Sequence, residues 1–186
     1  MSELEPLIGE PLALDLVNTR PVDADLLATP EQLAHWLGLQ AERLTEPLGQ
    51  PARADLAAVR EVRDHTAAVL DALLHDRRPP AAALRGLADA QSAAPAIRRL
   101  RWDGTALAAT PQRSGTPGAR LAATLADAAV DLLTDPAIAR LKRCAADDCV
   151  MLFLPAHPRR QWCSPERCGN RARVARYYQR HKATTN

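Results

Sequence analysis

Apolar residues recur at spacings of three and four over much of residues 1–139, and that period predicts helices. The clearest run is Arg53 to His75. It sets Leu56, Val59, Val62, Thr66, Val69, Leu70 and Leu73 on one face, leaves Arg60, Arg63, Asp64 and Asp71 elsewhere, and stops at Asp76-Arg77-Arg78-Pro79-Pro80. Upstream, Thr29-Pro30-Glu31 is a helix start, with Thr29 as cap and Pro30 where its missing N–H costs nothing. A helix of about four turns is expected to follow. Two further Ala-rich amphipathic runs, 81–90 and 118–133, predict helices, the second ending at Thr134-Asp135-Pro136. Between them Arg99 to Trp102 and Thr105 to Ala108 flank Asp103-Gly104, which predicts a hairpin whose two turn residues tolerate positive φ. The stretch Pro111 to Pro117 is expected to be a loop, and Leu12 to Asn18 fits strand and helix equally well. The expected fold is mainly α (α+β): a helical N-terminal domain with one hairpin, residues 1–139, followed by a small module with a basic C-terminal helix, residues 140–186.

Composition changes this picture only when it is split. The chain is 47% apolar and carries a formal net charge of +2. Residues 1–139 hold 13 arginines against 19 acids, net −6, while residues 140–186 hold 11 basic residues against 3 acids, net +8. Such asymmetry points to a nucleic-acid partner for the basic segment. The basic residues are 22 Arg against Lys142 and Lys182 alone, which suggests a GC-rich coding sequence and a bacterial source. No run of about 18 apolar residues predicts a membrane span, and Met1-Ser2-Glu3-Leu4-Glu5 is acidic where a secretory signal is basic and then apolar. The expectation is a cytoplasmic, nucleoid-associated protein.

The four cysteines all fall in the basic segment, as Cys144-x4-Cys149 and Cys163-x4-Cys168. Two cysteine pairs on short loops present four sulfurs tetrahedrally, as structural Zn²⁺ requires, and leave no open position for a catalytic water. Two disulfides, an iron-sulfur cluster or plain buried thiols are the rival readings; spacing alone does not separate zinc from iron. With four thiolates and one Zn²⁺ counted, the segment still carries +6. Its apolar content is small, so it needs the metal to fold, with Phe153 and Trp162 as a miniature core.

Behind Cys168 the run Ala172 to Lys182 has no Pro or Gly and predicts a helix anchored at its first turn. At 100° per residue, Arg173, Arg176 and Arg180 share a stripe about 60° wide. They are the candidate DNA contacts, since the guanidinium fork matches phosphate oxygens and guanine edges; Arg159 and Arg160 add charge nearby. Val174, Ala175 and Tyr178 lie opposite, on the side expected to pack against the zinc module. Arg171 falls with them and is read as structural, pairing with Asp147 or Asp148, while Asn170 caps the helix or braces the zinc loop.

Cys144-x4-Cys149, Leu152-Phe153-Leu154, Arg160-Gln161-Trp162-Cys163-Ser164 and Cys168-Gly169-Asn170-Arg171 together resemble the CGNR zinc finger. The resemblance implies that Cys144, Cys149, Cys163 and Cys168 bind one structural zinc and that the module binds double-stranded DNA. Gly9-Glu10-Pro11-Leu12-Ala13-Leu14-Asp15-Leu16-Val17-Asn18-Thr19 and the later Leu33-x2-Trp36 resemble the ABATE domain that usually precedes this finger. Proteins of that architecture are described as stress-induced transcription regulators of bacteria. This chain departs from the finger's pattern at Pro155-Ala156-His157-Pro158, a stiffer and less charged link than usual.

Residues 1–139 contain no nucleophile elbow, phosphate loop or dinucleotide fingerprint, so an enzyme is not indicated. His35, His65 and His75 are read as surface or satisfied core residues, Asn18 as a helix cap in preference to a pocket-lining residue, and Trp36 and Trp102 as core. An acidic domain before a basic reader suggests a unit that senses a small-molecule effector or forms a homodimer. The competing class is a zinc-stapled module that binds a protein or small ligand without reading DNA.

Overall fold

The computed structural model of the chain describes residues 5–44 and 49–183, with side chains as far as residue 177. The segment that fitted strand and helix equally is a helix, α1, Leu12–Val17. Its approach is held by Asp15, whose carboxylate accepts from the backbone N–H groups of Gly9 and Glu10, both at 3.0 Å. Gly9 takes φ +106° there, a conformation that side chains resist. Fully buried Asp15 also accepts from Gln40 Nε2 and from Arg43 at 2.7 Å, so its charge is compensated on every side.

Helix α2, Pro30–Leu39, carries the expected cap: Thr29 Oγ1 accepts from the Gln32 N–H, and Gln32 Oε1 accepts from the Thr29 N–H. It is ten residues long, shorter than four turns, because the chain turns inward at Gln40 to reach Asp15. Helix α3, Arg53–Leu74, buries the face expected of it with two exceptions. Leu73 is 37% exposed, and Arg63, expected away from the core, is 1% exposed. Arg63 is tolerated inside because Asp25 grips its guanidinium with two hydrogen bonds, at 2.6 and 2.9 Å, and Thr19 Oγ1 accepts a third. Periodicity along α3 cannot reveal a partner on a loop 38 residues earlier.

Helix α4, Ala81–Ala93, is followed by strands β1, Ile97–Trp102, and β2, Leu107–Gln112, and then by α5, Pro117–Thr134. α5 is the centre of the helical part. It packs on α1, α3 and α4, and its buried Gly118, Ala122, Ala123, Ala126 and Ala129 allow those close approaches. The hairpin forms with a four-residue connection instead of a two-residue turn. The Asp103 carboxylate accepts from the N–H groups of Thr105 and Ala106, both at 2.8 Å, and only Gly104 has positive φ. β2 takes up Pro111 and Gln112, which the sequence placed in a loop. Trp102, expected in the core, is 65% exposed because the hairpin projects from the helices. Trp36 is fully buried, as expected.

After α5 a 3-10 turn, Pro136–Arg140, capped by Asp135, leads into β3, Lys142–Arg143, which pairs antiparallel with β4, Leu152–Phe153. A π-helical turn, Pro165–Gly169, continues into α6, Asn170–Ala183. Among the described residues no helix is long and apolar enough to cross a membrane.

Candidate zinc centre and basic helix

β3 and β4 frame the loop that carries Cys144 and Cys149. The Cys144 N–H donates to the Met151 carbonyl at 2.9 Å and the Cys149 N–H to that of Ala146 at 3.0 Å, so the loop folds back on itself and turns both thiols inward. Cys163 ends the next connection, and Cys168 lies in the turn that opens the last helix. Ser164 caps that turn, its Oγ accepting from the Arg167 N–H at 3.1 Å, with Pro165 at the first helical position. Sequence reasoning missed this cap, although Ser164-Pro165-Glu166 repeats the signal of Thr29-Pro30-Glu31.

All four sulfurs lie within 4.8 Å of one another, with Cys149–Cys163 at 3.8 Å and Cys163–Cys168 at 3.5 Å. A tetrahedral site with Zn–S bonds of about 2.3 Å needs sulfurs about 3.8 Å apart. The residues therefore fit one zinc ion. Burial pushes the Cys149 thiol up to about 11 and raises that of Cys163 as well, while the Cys144 thiol, against its own burial, is lowered by the backbone N–H groups of Cys163 and Ala146; a bound cation offsets the charge of the four thiolates. Donors soften the negative charge of four thiolates, among them the Cys163 N–H, which points at Cys144 Sγ, and Arg171 Nη2, which lies 3.4 Å from Cys168 Sγ. Arg171 also pairs with Asp148 at 2.9 Å and so ties α6 to the first cysteine loop. A Cβ on Gly169 would sit 3.3 Å from the Trp162 ring, so the helix start leans on the indole through a residue without a side chain. Phe153 is fully buried among Cys144, Cys163 and Cys168, the miniature core expected of it.

The finger is seated on the helical part by side chains near α1. The Asn18 amide donates to the Leu152 carbonyl at 2.9 Å and accepts from the Leu152 N–H at 2.8 Å. Asn18 ends α1 by position, but its side chain braces a strand 134 residues later and caps no helix. Glu10 accepts from the Leu154 N–H at 3.0 Å and from Arg160 at 2.7 Å. Leu152 enters the helical core while Phe153, its neighbour on the opposite face of β4, enters the zinc core.

These contacts change the reading of Arg160. Its guanidinium group lies 4.5 Å from the Phe153 ring centroid, donates to the carbonyls of Trp162 and Cys163, and pairs with Glu10. It belongs to the scaffold, because every one of those contacts would be lost in reaching outward to DNA. Arg159 is exposed beside it. On α6, Arg173 and Arg176 are exposed, Arg173 donating to Asn170 Oδ1 and Arg176 to the Ala172 carbonyl. Asn170 thus braces Arg173, and Ser164 caps the π-helical turn that leads into α6. Val174 is 53% exposed and Ala175 is exposed, so these two described members of the expected packed face are not buried, and α6 contacts the finger at its first turn. The side chains of Tyr178 and Arg180 lie outside the described residues.

The family model described as "Putative stress-induced transcription regulator", ABATE, matches residues 10–136. The chain belongs to the ABATE family. A second family model, the CGNR zinc finger, matches residues 140–181, and its four cysteines form the centre described above, which holds one structural zinc. No curated protein matches the chain. In the ABATE part, Glu10 and Asn18 hydrogen-bond to the CGNR finger. A cleft of about 540 Å³ opens where the two meet, lined by Leu7, Pro21, Val22, Asp23, Met151 and Arg171, and it takes in the space between the zinc ligands Cys149, Cys163 and Cys168.

Proposed function

We propose that this ABATE protein is a transcription regulator that acts by binding and not by catalysis, its zinc finger contacting double-stranded DNA through α6. The observation that carries the reading is a helix hung from the zinc centre by its first turn, with Arg173 and Arg176 on its exposed surface in a segment of net charge +8. Exposed guanidinium groups on a helix that projects from a rigid base can approach a phosphate backbone without dismantling any core contact. Arg159 and Arg180 extend the same basic surface in this reading. One short helix reads few base pairs, so a homodimer on two half-sites is the working form. The cleft between the ABATE part and the finger is the place for a small-molecule effector, because a ligand there touches both Val22 and the first cysteine loop. Such a protein works in the cytoplasm, on the nucleoid.

The test is binding of the zinc-loaded chain to a panel of duplex DNAs of different defined sequence by fluorescence anisotropy across a salt series. Log affinity falls linearly with log salt, and changing Arg173, Arg176 and Arg180 together to Ala lowers the steepness by up to about 3 and the affinity at least about tenfold. Zinc content stays at one per chain. An unchanged slope and affinity in the triple variant sink the assignment of these arginines. Binding that is weak and blind to sequence in the parent chain favours a protein or small-ligand module.

A further inference from the structure

The β1–β2 hairpin has no part in the reading above. Its register pairs Leu100 with Ala109, Trp102 with Leu107 and Arg98 with Pro111, which gathers Leu100, Trp102, Leu107, Ala109 and Pro111 on one face with Arg98 at its end. Ile97, Arg99, Arg101 and Thr110 alternate onto the other. Leu100, Trp102 and Leu107 are 68%, 65% and 66% exposed, and among the described residues no helix packs closely on either strand. A lone two-stranded hairpin is marginal in water, and a Trp flanked by two Leu on its open face is a cost that a covering partner removes.

We propose that this face is the self-association surface of a twofold homodimer, with Leu100, Trp102 and Leu107 of one copy laid against the same residues of a second. The distribution of charge selects that occupant. Arg99 and Arg101 project from the opposite face, and Arg98 stands at the end remote from the turn, so the centre of the apolar face carries no charge. DNA or an acidic protein would need the arginines on the contact face. A neutral apolar patch is complementary to itself, as an isologous contact requires. Edge-to-edge pairing is the poorer route: two β1 strands side by side bring arginines together, and β2 carries Pro111, which cannot donate to a ladder. The three side chains expose on the order of 400 Å² per copy, taking about 150–250 Å² for a covered aromatic ring and somewhat less for each Leu. Twice that is about 800 Å², below a standard stable interface. The dimer is accordingly weak alone and is completed when two fingers occupy neighbouring half-sites. The proposal deepens the dimer reading above, and rests on the DNA reading for its use but not for its existence.

Sedimentation of the zinc-loaded full chain without DNA, from about 1 to about 500 µM, tests it. The weight-average mass rises from monomer toward dimer. Trp102→Ser with Leu107→Glu weakens association at least tenfold, with helical signal and zinc content unchanged, since both residues are already exposed. Arg99→Ser with Arg101→Ser associates like the parent. A chain that stays monomeric throughout, or a dimer that the apolar variant leaves intact, overturns the proposal. So does an apolar variant that loses duplex DNA while remaining as associated as the parent, which assigns the hairpin to nucleic acid. A monomer that binds DNA sinks the hairpin dimer alone; a dimer that binds none sinks the DNA reading alone.

Discussion

Arg63 illustrates how a residue escapes a reading made along the chain. Its position on α3 is polar in the helical pattern, yet it is the largest buried charged side chain, and Asp25 is what makes it affordable. The Arg63 guanidinium in turn holds the Asp25 carboxyl below its ordinary range. A depressed folded value means stability that is fully present above the unfolded carboxylate value, about pH 4, and lost as the pH falls from there through the lower folded value. Thermal melts of the parent and Asp25→Asn are therefore expected to differ most near neutrality and to converge in acid below about pH 4. A difference that stays constant across that window rules the pair out as the source. Arg160, unlike Arg171, was likewise assigned only in three dimensions. Arg171 pairs with Asp148, one of the two partners its helical angle suggested, whereas Arg160 is drawn inward by Glu10 from 150 residues away.

At the scale of elements, β4 is two residues long and too short to hold itself in place. Asn18 supplies what a neighbouring strand would, one donor and one acceptor to the same residue. Replacing Asn18 by Ala leaves the buried N–H and carbonyl of Leu152 without these partners, at about 1–3 kcal/mol each. The expected result is a fall in Tm on the order of 5–10 °C, with faster hydrogen exchange at the Leu152 amide. A Tm within about 1 °C of the parent would show that the finger is seated by apolar contact alone. The contrast with α3 is instructive. A 22-residue helix announces itself by periodicity, and a strand whose partner side chain lies 134 residues away does not. The hairpin falls between these cases: Asp103-Gly104 located it, but the wider connection and the projection from the helices follow from the Asp103 carboxylate and from the absence of a helix beneath it.

In the whole molecule the two cores are joined at adjacent residues, Leu152 in one and Phe153 in the other. Removing zinc frees the loops that position both. Treatment with a strong chelator is expected to speed hydrogen exchange in α1 as well as in the finger, and to broaden the thermal transition of the helical part. Unchanged protection across Leu12–Val17 after complete zinc loss would show that the halves fold independently. By itself the sequence determined most of the local elements and the four-thiolate metal site, because helical period, caps and paired cysteines are short-range signals whose chemistry lies within a few turns of chain. The ABATE motif was legible as a motif and opaque as a mechanism. Only the tertiary structure decided that Glu10 and Asn18 seat the finger, that Arg160 is held inward while Arg173 and Arg176 face solvent, and that Trp102 stands exposed. Each of those outcomes depends on which distant group pairs a buried charge, a bare strand or an apolar face, and separation along the chain carries no record of it.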